Sequence, residues 1–519
     1  MAELGISVDI AVIGGGMGGC AAALAACEAG CTVLLSESTD WLGGQMTAQG
    51  VSAFDEHARI EAQPPSLNYA RLRREIRAEY VRTFGAPECM PETGLPLNPG
   101  NGWVSRLCFE PRVGLRVLER MLAPHIAAGR LIVRTNCAPV RAELRTDRIA
   151  AVFLRDAAGV EFSVEAAHFL DATDLGDLLP LTHTPWRTGA ESRAETGEPS
   201  AGDADVPHEV QSFTFCFAVE RRPGESHVIE KPAAYEALRA AQPFTLVIGS
   251  PLRRFRMFEP APDAPLPFWT YRRLFDARLL DPSGHGLRDV ALINWAGNDY
   301  HAASLIHASP PELARIVTEA KQLSLAFLYW LQTECPHDDD RGQGYPELML
   351  RPDIMGTADG LSKAPYVREA RRITPCFRIL EQHVAAAGRS HAERFLDSVG
   401  IGWYPLDLHP AIGNPNRNMF APTHPFQIPL GALIPRPAPG TPKNLVAACK
   451  NIGTTHISNG AYRLHPVEWA IGEAAGELAA FCVADGHSPA QVWESPALTQ
   501  QLQDRLRARG VRVDWGDDG

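Results

Sequence analysis

Three glycines near the start of the chain have the spacing of a dinucleotide-binding turn. Gly14, Gly16 and Gly19 follow the pattern GxGxxG, between an apolar segment and an alanine-rich one. In this pattern the first glycine permits a tight turn, the second lets a diphosphate approach backbone amides, and the third lets a helix pack on a strand. Amides at the start of a helix also favour a bound anion. The spacing therefore predicts a site for a dinucleotide cofactor.

An acidic residue narrows the choice of dinucleotide. The segment CTVLLSE ends at Glu37, 18 residues after Gly19. A carboxylate in this position accepts hydrogen bonds from ribose hydroxyls. Glu37 therefore favours FAD or NAD, which have a free 2′-hydroxyl, over NADP.

The elements that must position these residues are a strand, a turn, a helix and a second strand. Residues 8–13 are apolar and largely β-branched, as in a buried parallel strand, and residues 21–29 are rich in alanine, the best helix former. Farther along, residues 149–155 and 160–164 alternate around a glycine turn, and residues 167–171 form another strand. We predict an α/β fold, with a Rossmann-like FAD-binding domain.

The C-terminal half of the chain predicts further elements. Periodicity and helix end signals predict a long helix, a strand, a second helix and a tail helix. They cover residues 313–334, 445–448, 466–486 and 496–509. The tail helix is amphipathic, so it packs either on its own domain or on a second copy in a homodimer.

After Glu37 the sequence reads STDWLGGQMTAQG, with the doublet Gly43 and Gly44 followed by Gln45. Here the chain resembles the FAD-dependent oxidoreductases of the glutathione-reductase-like FAD/NAD(P)-binding superfamily. It is most similar to the broad FAD-dependent oxidoreductase family, which carries W-L-G-G-Q-x-T at this point. The resemblance extends over residues 103–111, 293–301, 351–373 and 444–486. It implies FAD as the cofactor, close to Gly43, Gly44 and Gln45.

The resemblance also implies cofactor contacts elsewhere in the chain. A backbone contact near Val140 would hold the adenine, and the strand ending at Asp171 would pass near the cofactor. The loop that contains Asn451 and the stretch that contains Arg463 would lie near the flavin. The helix that begins at Pro466 would point its positive end at the ring and stabilise the negative charge of the reduced flavin.

Candidate catalytic residues follow from the needs of a flavin dehydrogenase, which requires a base or an acid beside the ring. His301, which ends the stretch INWAGNDYH, is the first candidate. His465 is a second, and its position before a proline favours an extended backbone. Arg368 stands four residues before Arg372, which predicts one face of a helix. That face is either solvated or recognises a substrate carboxylate. Other histidines remain open as alternatives: His409, His424 and His456.

Composition excludes several classes of partner. The chain has 49 Lys and Arg against 61 Asp and Glu, a net charge of −12, and no basic block, so we expect neither nucleic acid nor a membrane surface as a partner. The 11 cysteines lack metal-type spacing and predict reduced, buried residues of a cytoplasmic protein. The acidic run at residues 337–342 predicts a solvated loop, and we expect no metal. A small molecule is therefore the expected binding partner, as the substrate.

These observations predict four regions. Residues 1–180 and 401–486 form a discontinuous FAD-binding domain, residues 181–400 an inserted α+β substrate domain, and residues 487–519 a helical tail. The predicted function is an FAD-dependent oxidoreductase, a dehydrogenase or oxidase, that transfers a hydride from a small organic metabolite to flavin N5. Two alternatives stay open: a non-redox flavoprotein lyase or isomerase, and a flavin monooxygenase.

Overall fold

The computed structural model describes residues 5–249, 252–281, 284, 286–416 and 418–516. Within these ranges the α-helices are α1 (Met17–Glu28), α2 (Leu67–Phe84), α3 (Pro111–Ala127), α4 (Leu178–Leu181), α5 (Arg193–Thr196), α6 (Tyr235–Ala241), α7 (Ala277–Leu280), α8 (Pro310–Thr333), α9 (Pro352–Met355), α10 (Glu381–Val384), α11 (His456–Tyr462), α12 (His465–Asp485), α13 (Pro489–Glu494) and α14 (Pro496–Ala508). The strands are β1 (Ile6–Ile13), β2 (Val33–Ser36), β3 (Leu131–Arg134), β4 (Cys137–Arg145), β5 (Arg148–Asp156), β6 (Glu161–Asp171), β7 (Trp186–Arg187), β8 (Phe213–Thr214), β9 (Phe217–Arg221), β10 (Val247–Ile248), β11 (Arg253–Arg254), β12 (Arg273–Phe275), β13 (Val290–Ile293), β14 (Leu348–Leu350), β15 (Tyr366–Val367), β16 (Arg372–Ile373), β17 (Ser398–Gly402), β18 (Leu406–Leu408), β19 (Met419–Ala421), β20 (Phe426–Pro429) and β21 (Leu445–Ala447).

The largest sheet has a parallel part and an antiparallel part. Its order is β3-β2-β1-β6-β5-β4, and β21 also pairs with β6. The strands β3, β2, β1, β6 and β21 run parallel, whereas β4, β5 and β6 form an antiparallel meander. The second half of β1, Ile10–Ile13, is buried because helices cover the sheet there. This arrangement confirms the predicted α/β fold with a Rossmann-like parallel sheet.

Two helices that are distant in sequence pack closely at this sheet. A Cβ added at Gly472 of α12 would lie 2.0 Å from the carbonyl oxygen of Gly18 in α1, and one at Gly476 would lie 2.3 Å from that of Ala22. These glycines therefore let the two backbones approach. Since α12 and β21 join the sheet formed by the first 171 residues, the C-terminal segment completes the same layer structure. The predicted domain limits stay predictions.

Replacing Gly472 with alanine should destabilise the protein by about 3 kcal/mol, because the new methyl group meets main-chain atoms of α1 that cannot move aside. Urea unfolding measures the free energy of unfolding directly. Gly5→Ala is the matched control, since its Cβ would have an ordinary contact of 3.4 Å with the Ser163 hydroxyl. Equal stabilities of the two variants would contradict the close approach of α1 and α12.

A second hydrophobic core lies around α8. The antiparallel sheet β12-β13-β9-β14 carries this core together with α8, and Phe327 and Trp330 are among its buried members. A Ser309–Glu312 capping box and a proline begin α8, three residues before the predicted start. The tail helix α14 packs on α12 of its own chain, with Arg505 Nε 2.8 Å from Glu477. No helix among the described residues is long and apolar enough to cross a membrane.

The predicted helix through Arg368 and Arg372 is wrong. The flanking residues form the short strands β15 and β16, which pair with β8 and β7. Both arginines are buried, with 1% and 0% of their surfaces exposed, and both form ion pairs. Long-range strand pairing therefore overrides the helix-favouring composition of the segment, and the alternative of a solvated helix face is excluded.

Candidate active site

The glycine turn between β1 and α1 has the geometry that a dinucleotide requires. Gly14 has a φ of +104°, and its added Cβ would lie 2.2 Å from the Ala172 carbonyl oxygen. Gly19 approaches Gly14 so closely that a Cβ would come within 1.9 Å of its carbonyl oxygen. Gly16 is the N-cap of α1 and has no side chain, so the first amides of the helix face a space that Glu468 reaches, accepting a hydrogen bond from the Gly18 amide. Side chains at Gly14 or Gly19 would collide with main-chain atoms, so only glycine fits at these two positions of the turn.

Glu37 follows the end of β2 and faces this turn. One carboxylate oxygen accepts a hydrogen bond from the Gly15 amide at 3.0 Å, and the other accepts one from the Thr39 amide at 2.9 Å. Burial raises the pKa of Glu37 to about 6, and the nearby Asp174 contributes in the same direction. The carboxylate lies beside the first glycines of the turn, and its contact to a ribose stays a prediction.

The glycine doublet brings a second segment to the same place. Gly43 and Gly44 both have positive φ values, +105° and +49°, and a Cβ on Gly44 would lie 2.8 Å from the Cα of Gly16. The next residue, Gln45, donates from Nε2 to Glu468 at 2.6 Å and to the carbonyl oxygen of Arg463 at 3.2 Å. The doublet thus connects the glycine turn with the start of α12.

Unpaired polar atoms in this segment fit a large polar ligand. Gln45 Oε1, both amide atoms of Gln49 and Ser52 Oγ are buried and find no hydrogen-bond partner among the described residues. Buried polar groups are normally paired, so such a cluster needs a ligand or water. The pyrimidine edge of a flavin offers both donors and acceptors. The residues present therefore fit FAD, with Gly14, Gly16, Gly19 and Glu37 at the dinucleotide end and the segment around Gln45 and Gln49 at the flavin end.

The other predicted cofactor residues are mostly occupied within the chain. Asp171 is fully buried, accepts hydrogen bonds from the Thr173 and Leu178 amides, and has its pKa raised by burial to about 7. Asn451 donates to the Asp171 carbonyl oxygen at 3.0 Å. Val140 is half-buried at an irregularity in the pairing of β4 and β5. Their cofactor contacts stay predictions, while the structure shows Asp171 and Asn451 tying β6 to the loop after β21.

A cluster of buried charges lies next to the flavin end. His409 Nδ1 lies 2.6 Å from Asp299, and its Nε2 lies 3.4 Å from Asp407. Asp299 also pairs with Arg368 at 2.9 Å. Arg463 donates to Asp407 at 3.0 Å and to the Tyr366 hydroxyl at 3.0 Å. Since the Arg463 carbonyl oxygen is bonded to Gln45, this cluster borders the cofactor segment.

Part of this cluster is open to solvent, and we call the partly exposed surface around His409 and Asp407 the cleft. The side chains of His409 and Asp407 are 26% and 21% exposed, although Arg368 and Arg463 beside them are buried. Tyr271 and Tyr404 are also half-buried. Burial raises the pKa of Tyr404, and the charges of Asp55 and Asp407 raise it further, so these groups lie close together.

The cleft is completed by an ion pair. Arg272 donates to Asp55 at 2.8 Å and lies near Tyr271. The arrangement combines aromatic walls, phenol hydroxyl groups, guanidinium groups and one imidazole, which can bind a polar organic molecule and exchange a proton with it.

A second histidine–carboxylate pair lies behind this cleft. His456 Nδ1 lies 2.9 Å from Glu369, which also forms an ion pair with Arg372, and all three side chains are buried. The pKa of Glu369 is lowered to about 2 because His456 and Arg372 outweigh the effect of burial. The Nε2 atom of His456 has no hydrogen-bond partner in the described part of the chain.

The three predicted catalytic residues differ in their surroundings: His301 and Arg368 both contact Asp299, whereas His465 contacts the main chain at Val51 and Asp55. His301 is half-buried, with Nδ1 3.1 Å from the Asp299 carbonyl oxygen. His465 accepts a hydrogen bond from the Asp55 amide through Nδ1, and its Nε2 lies 2.8 Å from the Val51 carbonyl oxygen. Burial lowers the pKa of His465 to about 4. With both ring nitrogens bonded to the main chain, His465 positions the cofactor segment, and nothing in its contacts supports proton transfer.

Arg368 contributes to the site in an unexpected way. Its guanidinium donates to the Ser212 carbonyl oxygen and to Thr214 Oγ1, and it pairs with Asp299. These contacts use both terminal nitrogens of the guanidinium, so the predicted recognition of a substrate carboxylate gains no support. Instead, Arg368 orients Asp299 toward His409.

Several site residues escaped the sequence prediction. Tyr271, Arg272, Tyr366, Tyr404 and Asp407 lie in three separate segments, and none belongs to a motif with a known mechanism. A weak signal was present in the four-residue stretch around Asp407 and His409, where polar residues alternate with leucines. Only the folded chain shows that they share one cleft.

No group of three or more potential metal ligands occurs among the described residues. The cysteines of that part of the chain are all free thiols. In the acidic run, the carboxylate of Asp338 accepts hydrogen bonds from the Met257, Phe258 and Glu259 amides. Asp338 therefore anchors the extended segment before β12, which explains this residue without a metal.

Comparison with known proteins identifies the family. The model of the family described as FAD dependent oxidoreductase matches residues 9–506. No curated protein matches the chain.

Similar solved structures include a dehydrogenase, a flavin-dependent monooxygenase and a reductase-like protein. L-proline dehydrogenase from P. horikoshii is 14% identical, with a TM-score of 0.18 over 36% of this chain and 24% of that one. The flavin-dependent monooxygenase PieE, in complex with FAD and substrate, is 15% identical, with a TM-score of 0.24 over 41% and 35% of the two chains. A geranylgeranyl bacteriochlorophyll reductase-like protein from Thermoplasma acidophilum is 11% identical, with a TM-score of 0.32 over 98% and 85%. The matched part thus spans about a quarter of the proline dehydrogenase and a third of the monooxygenase.

Proposed function

The chain belongs to the family of FAD-dependent oxidoreductases, and from that premise we propose that it oxidises a small polar metabolite in the cleft beside Arg463. The chemistry that the cofactor supplies is acceptance of a hydride at N5 of its ring. The protein must then place a C–H bond against the ring and accept the accompanying proton. The parallel sheet and Glu37 support membership in the glutathione-reductase-like superfamily.

The observation that carries this proposal is the double role of Arg463. Its carbonyl oxygen is bonded to Gln45 of the cofactor segment, while its guanidinium extends to Tyr366 and Asp407 in the cleft. A substrate held by these groups would lie next to the flavin. The Arg463 guanidinium would also stabilise negative charge that develops on a substrate oxygen.

His409 is the group best placed to exchange the proton. Asp299 orients its Nδ1 side, so that the Nε2 side faces the cleft and Asp407. This is the arrangement in which a carboxylate holds a histidine for general base catalysis. Burial and Arg368 lower the pKa of His409, but Asp299 and Asp407 outweigh them and raise it above its usual value.

Anaerobic reduction of the bound flavin tests the proposed reaction. Hydroxyl- and amine-bearing metabolites are mixed with the holoenzyme without oxygen, and the flavin absorbance band is followed. We expect the band to disappear with at least one of these compounds. A substrate that is converted while the band stays unchanged would contradict hydride transfer and favour the lyase or isomerase alternative. Admission of oxygen to the reduced protein then distinguishes an oxidase from a dehydrogenase.

The pH dependence of flavin reduction should report His409. A general base must be unprotonated, so the rate should rise with pH through the pKa of His409, which lies above 6.5. Asp299→Asn removes the charge that favours the imidazolium form, so the rising limb should move down by about 1–3 pH units. Stopped-flow measurements of flavin reduction across pH 5–10 give the rising limb of the rate for the natural protein and for the variant. An unchanged limb in the folded variant would remove His409 from the mechanism.

Two histidine variants test which residue accepts the proton: His409, as the structure suggests, or His301, as the sequence alone predicts. His409→Asn should slow flavin reduction by about 100-fold or more, since general base catalysis contributes about that much. His301→Ala, which the sequence predicts to be inactive, should retain most of the rate because the His301 ring contacts only a carbonyl oxygen of this cluster. The reverse order of effects would assign the proton transfer to His301.

A further inference from the structure

The carboxylate of Glu468 lies at the anion-binding end of α1. Its Oε1 accepts a hydrogen bond from the Gly18 amide at 3.2 Å, and its Oε2 accepts one from Gln45 at 2.6 Å. A Cβ on Gly16 would come within 3.2 Å of the same Oε1 atom. Glu468 thus occupies the amide and the open space that a GxGxxG turn provides for a diphosphate.

The charges around this carboxylate are unbalanced. Lys450 is the cation nearest to it, with Nζ 4.0 Å from Glu468 and 2.8 Å from Asp174, and only 2% of Lys450 is exposed. Two carboxylates, Asp174 and Glu468, therefore flank one ammonium group, and the negative charge of Asp174 also acts on Glu37. The thiols of Cys20 and Cys449 are near enough for the Glu468 charge to act on them, and burial raises the pKa of each, which keeps them uncharged.

A diphosphate cannot simply be added to this arrangement. It would bring two negative charges to a helix end that already holds the Glu468 carboxyl group, and this group must be neutral beside them, because like charges in a buried site repel each other strongly. The unpaired Gln45 Oε1 atom beside Glu468 shows that the local pairing is incomplete without a ligand. An anion at the Gly18 amide would also lie next to Lys450, since Lys450 lies 4.0 Å from the present occupant.

We propose that Glu468 competes with the FAD diphosphate for the N-terminus of α1 and for Lys450, so that FAD binds with the uptake of one proton by Glu468. Lys450 then serves as the counter-ion of the diphosphate. The inference rests on FAD as the cofactor and on no statement about the substrate, so it can fail while the proposed oxidation stands.

The direction of the pH effect follows from linkage. Burial raises the pKa of Glu468, Lys450 lowers it, and Asp174 raises it again, with a net increase. Below this pKa the carboxyl group is neutral and the diphosphate enters unopposed. Above it, binding must add a proton, so the dissociation constant of FAD should rise by about tenfold per pH unit.

The experiment measures FAD release from the holoenzyme. Dilution at pH 5–9, with the recovery of flavin fluorescence as the signal, gives the dissociation constant at each pH. We expect the tenfold slope in the natural protein and a nearly flat, tighter profile in Glu468→Gln. Glu473→Gln is the matched control, because Glu473 is a second buried carboxylate of α12 with a pKa raised to about 7, and it faces Ser66 and Asn68 instead. This control should retain the slope.

A second measurement requires no variant. Titration calorimetry of FAD into the apoprotein, in two buffers with different ionisation enthalpies at each of several pH values, counts the protons taken up, and the count should rise from zero towards one as the pH passes the pKa of Glu468. Lys450→Met should weaken FAD binding by at least about tenfold at every pH, because it removes a buried counter-ion. Zero proton uptake, or equal slopes for the natural protein and Glu468→Gln, would overturn the proposal.

Discussion

Arg463→Met should retain FAD and lose turnover. The contact between this residue and the cofactor segment is made by its carbonyl oxygen, so a methionine preserves the hydrogen bond from Gln45. The guanidinium contacts to Tyr366 and Asp407 disappear. We expect kcat/KM to fall by about 100–1,000-fold, the usual cost of removing one donor that stabilises developing charge. Flavin absorbance of the purified variant and steady-state rates measure the two effects separately.

Arg463→Lys is the control for charge. Lysine restores the positive charge but not the planar fork that contacts two partners, so it should recover only part of the lost activity. A colourless Arg463→Met protein would instead assign the side chain to cofactor binding, as the sequence alone predicts. Full activity in that variant would exclude Arg463 from the site altogether.

Gly16→Val should give a folded protein without FAD. The φ value of Gly16 is −62°, which any residue adopts, and its added Cβ meets only the flexible end of Glu468 within 3.5 Å. The valine side chain nevertheless fills the space that a diphosphate requires. We expect a flavin-to-protein ratio near zero, with a free energy of unfolding within about 1 kcal/mol of that of the natural apoprotein.

Gly19→Ala should behave in the opposite way. Its methyl group would lie 1.9 Å from the Gly14 carbonyl oxygen, so the strand and the helix must separate. We expect a loss of about 3 kcal/mol of stability, measured by urea unfolding of the apoprotein.

A fully loaded, yellow Gly16→Val protein would contradict the assignment of the turn to the cofactor. Equal stability of the two variants would contradict the different roles of the two glycines.

Local sequence predicted the elements whose signals are local. The first strand and helix, the meander and α12 all lie within a few residues of their predicted bounds, because buried strands and helices have distinct hydrophobic periods. The two strands predicted at residues 160–164 and 167–171 are one, Glu161–Asp171, since β1 and β5 pair with it along its whole length. The joining of the two predicted strands into one depends on β1, which lies more than 100 residues away in the sequence.

The segment from Tyr366 to Ile373 shows where local reasoning fails. Its residues favour a helix, but β15 pairs with Phe213–Thr214 and β16 with Trp186–Arg187. The buried partners of Arg368 and Arg372 also come from distant segments, since Asp299 and Glu191 supply the carboxylates. Neither the pairing nor the burial can be inferred from the charge pattern of eight residues.

The sequence by itself determined which residues form the predicted dinucleotide-binding turn. The spacing of Gly14, Gly16 and Gly19, together with Glu37, is a local constraint on backbone conformation, and such constraints can be recognised without the fold. Only the tertiary structure decided which residues form the proposed substrate site. Asp299, Arg368, His409 and Arg463 become a site because long-range packing removes their charges from water and forces each to find a partner.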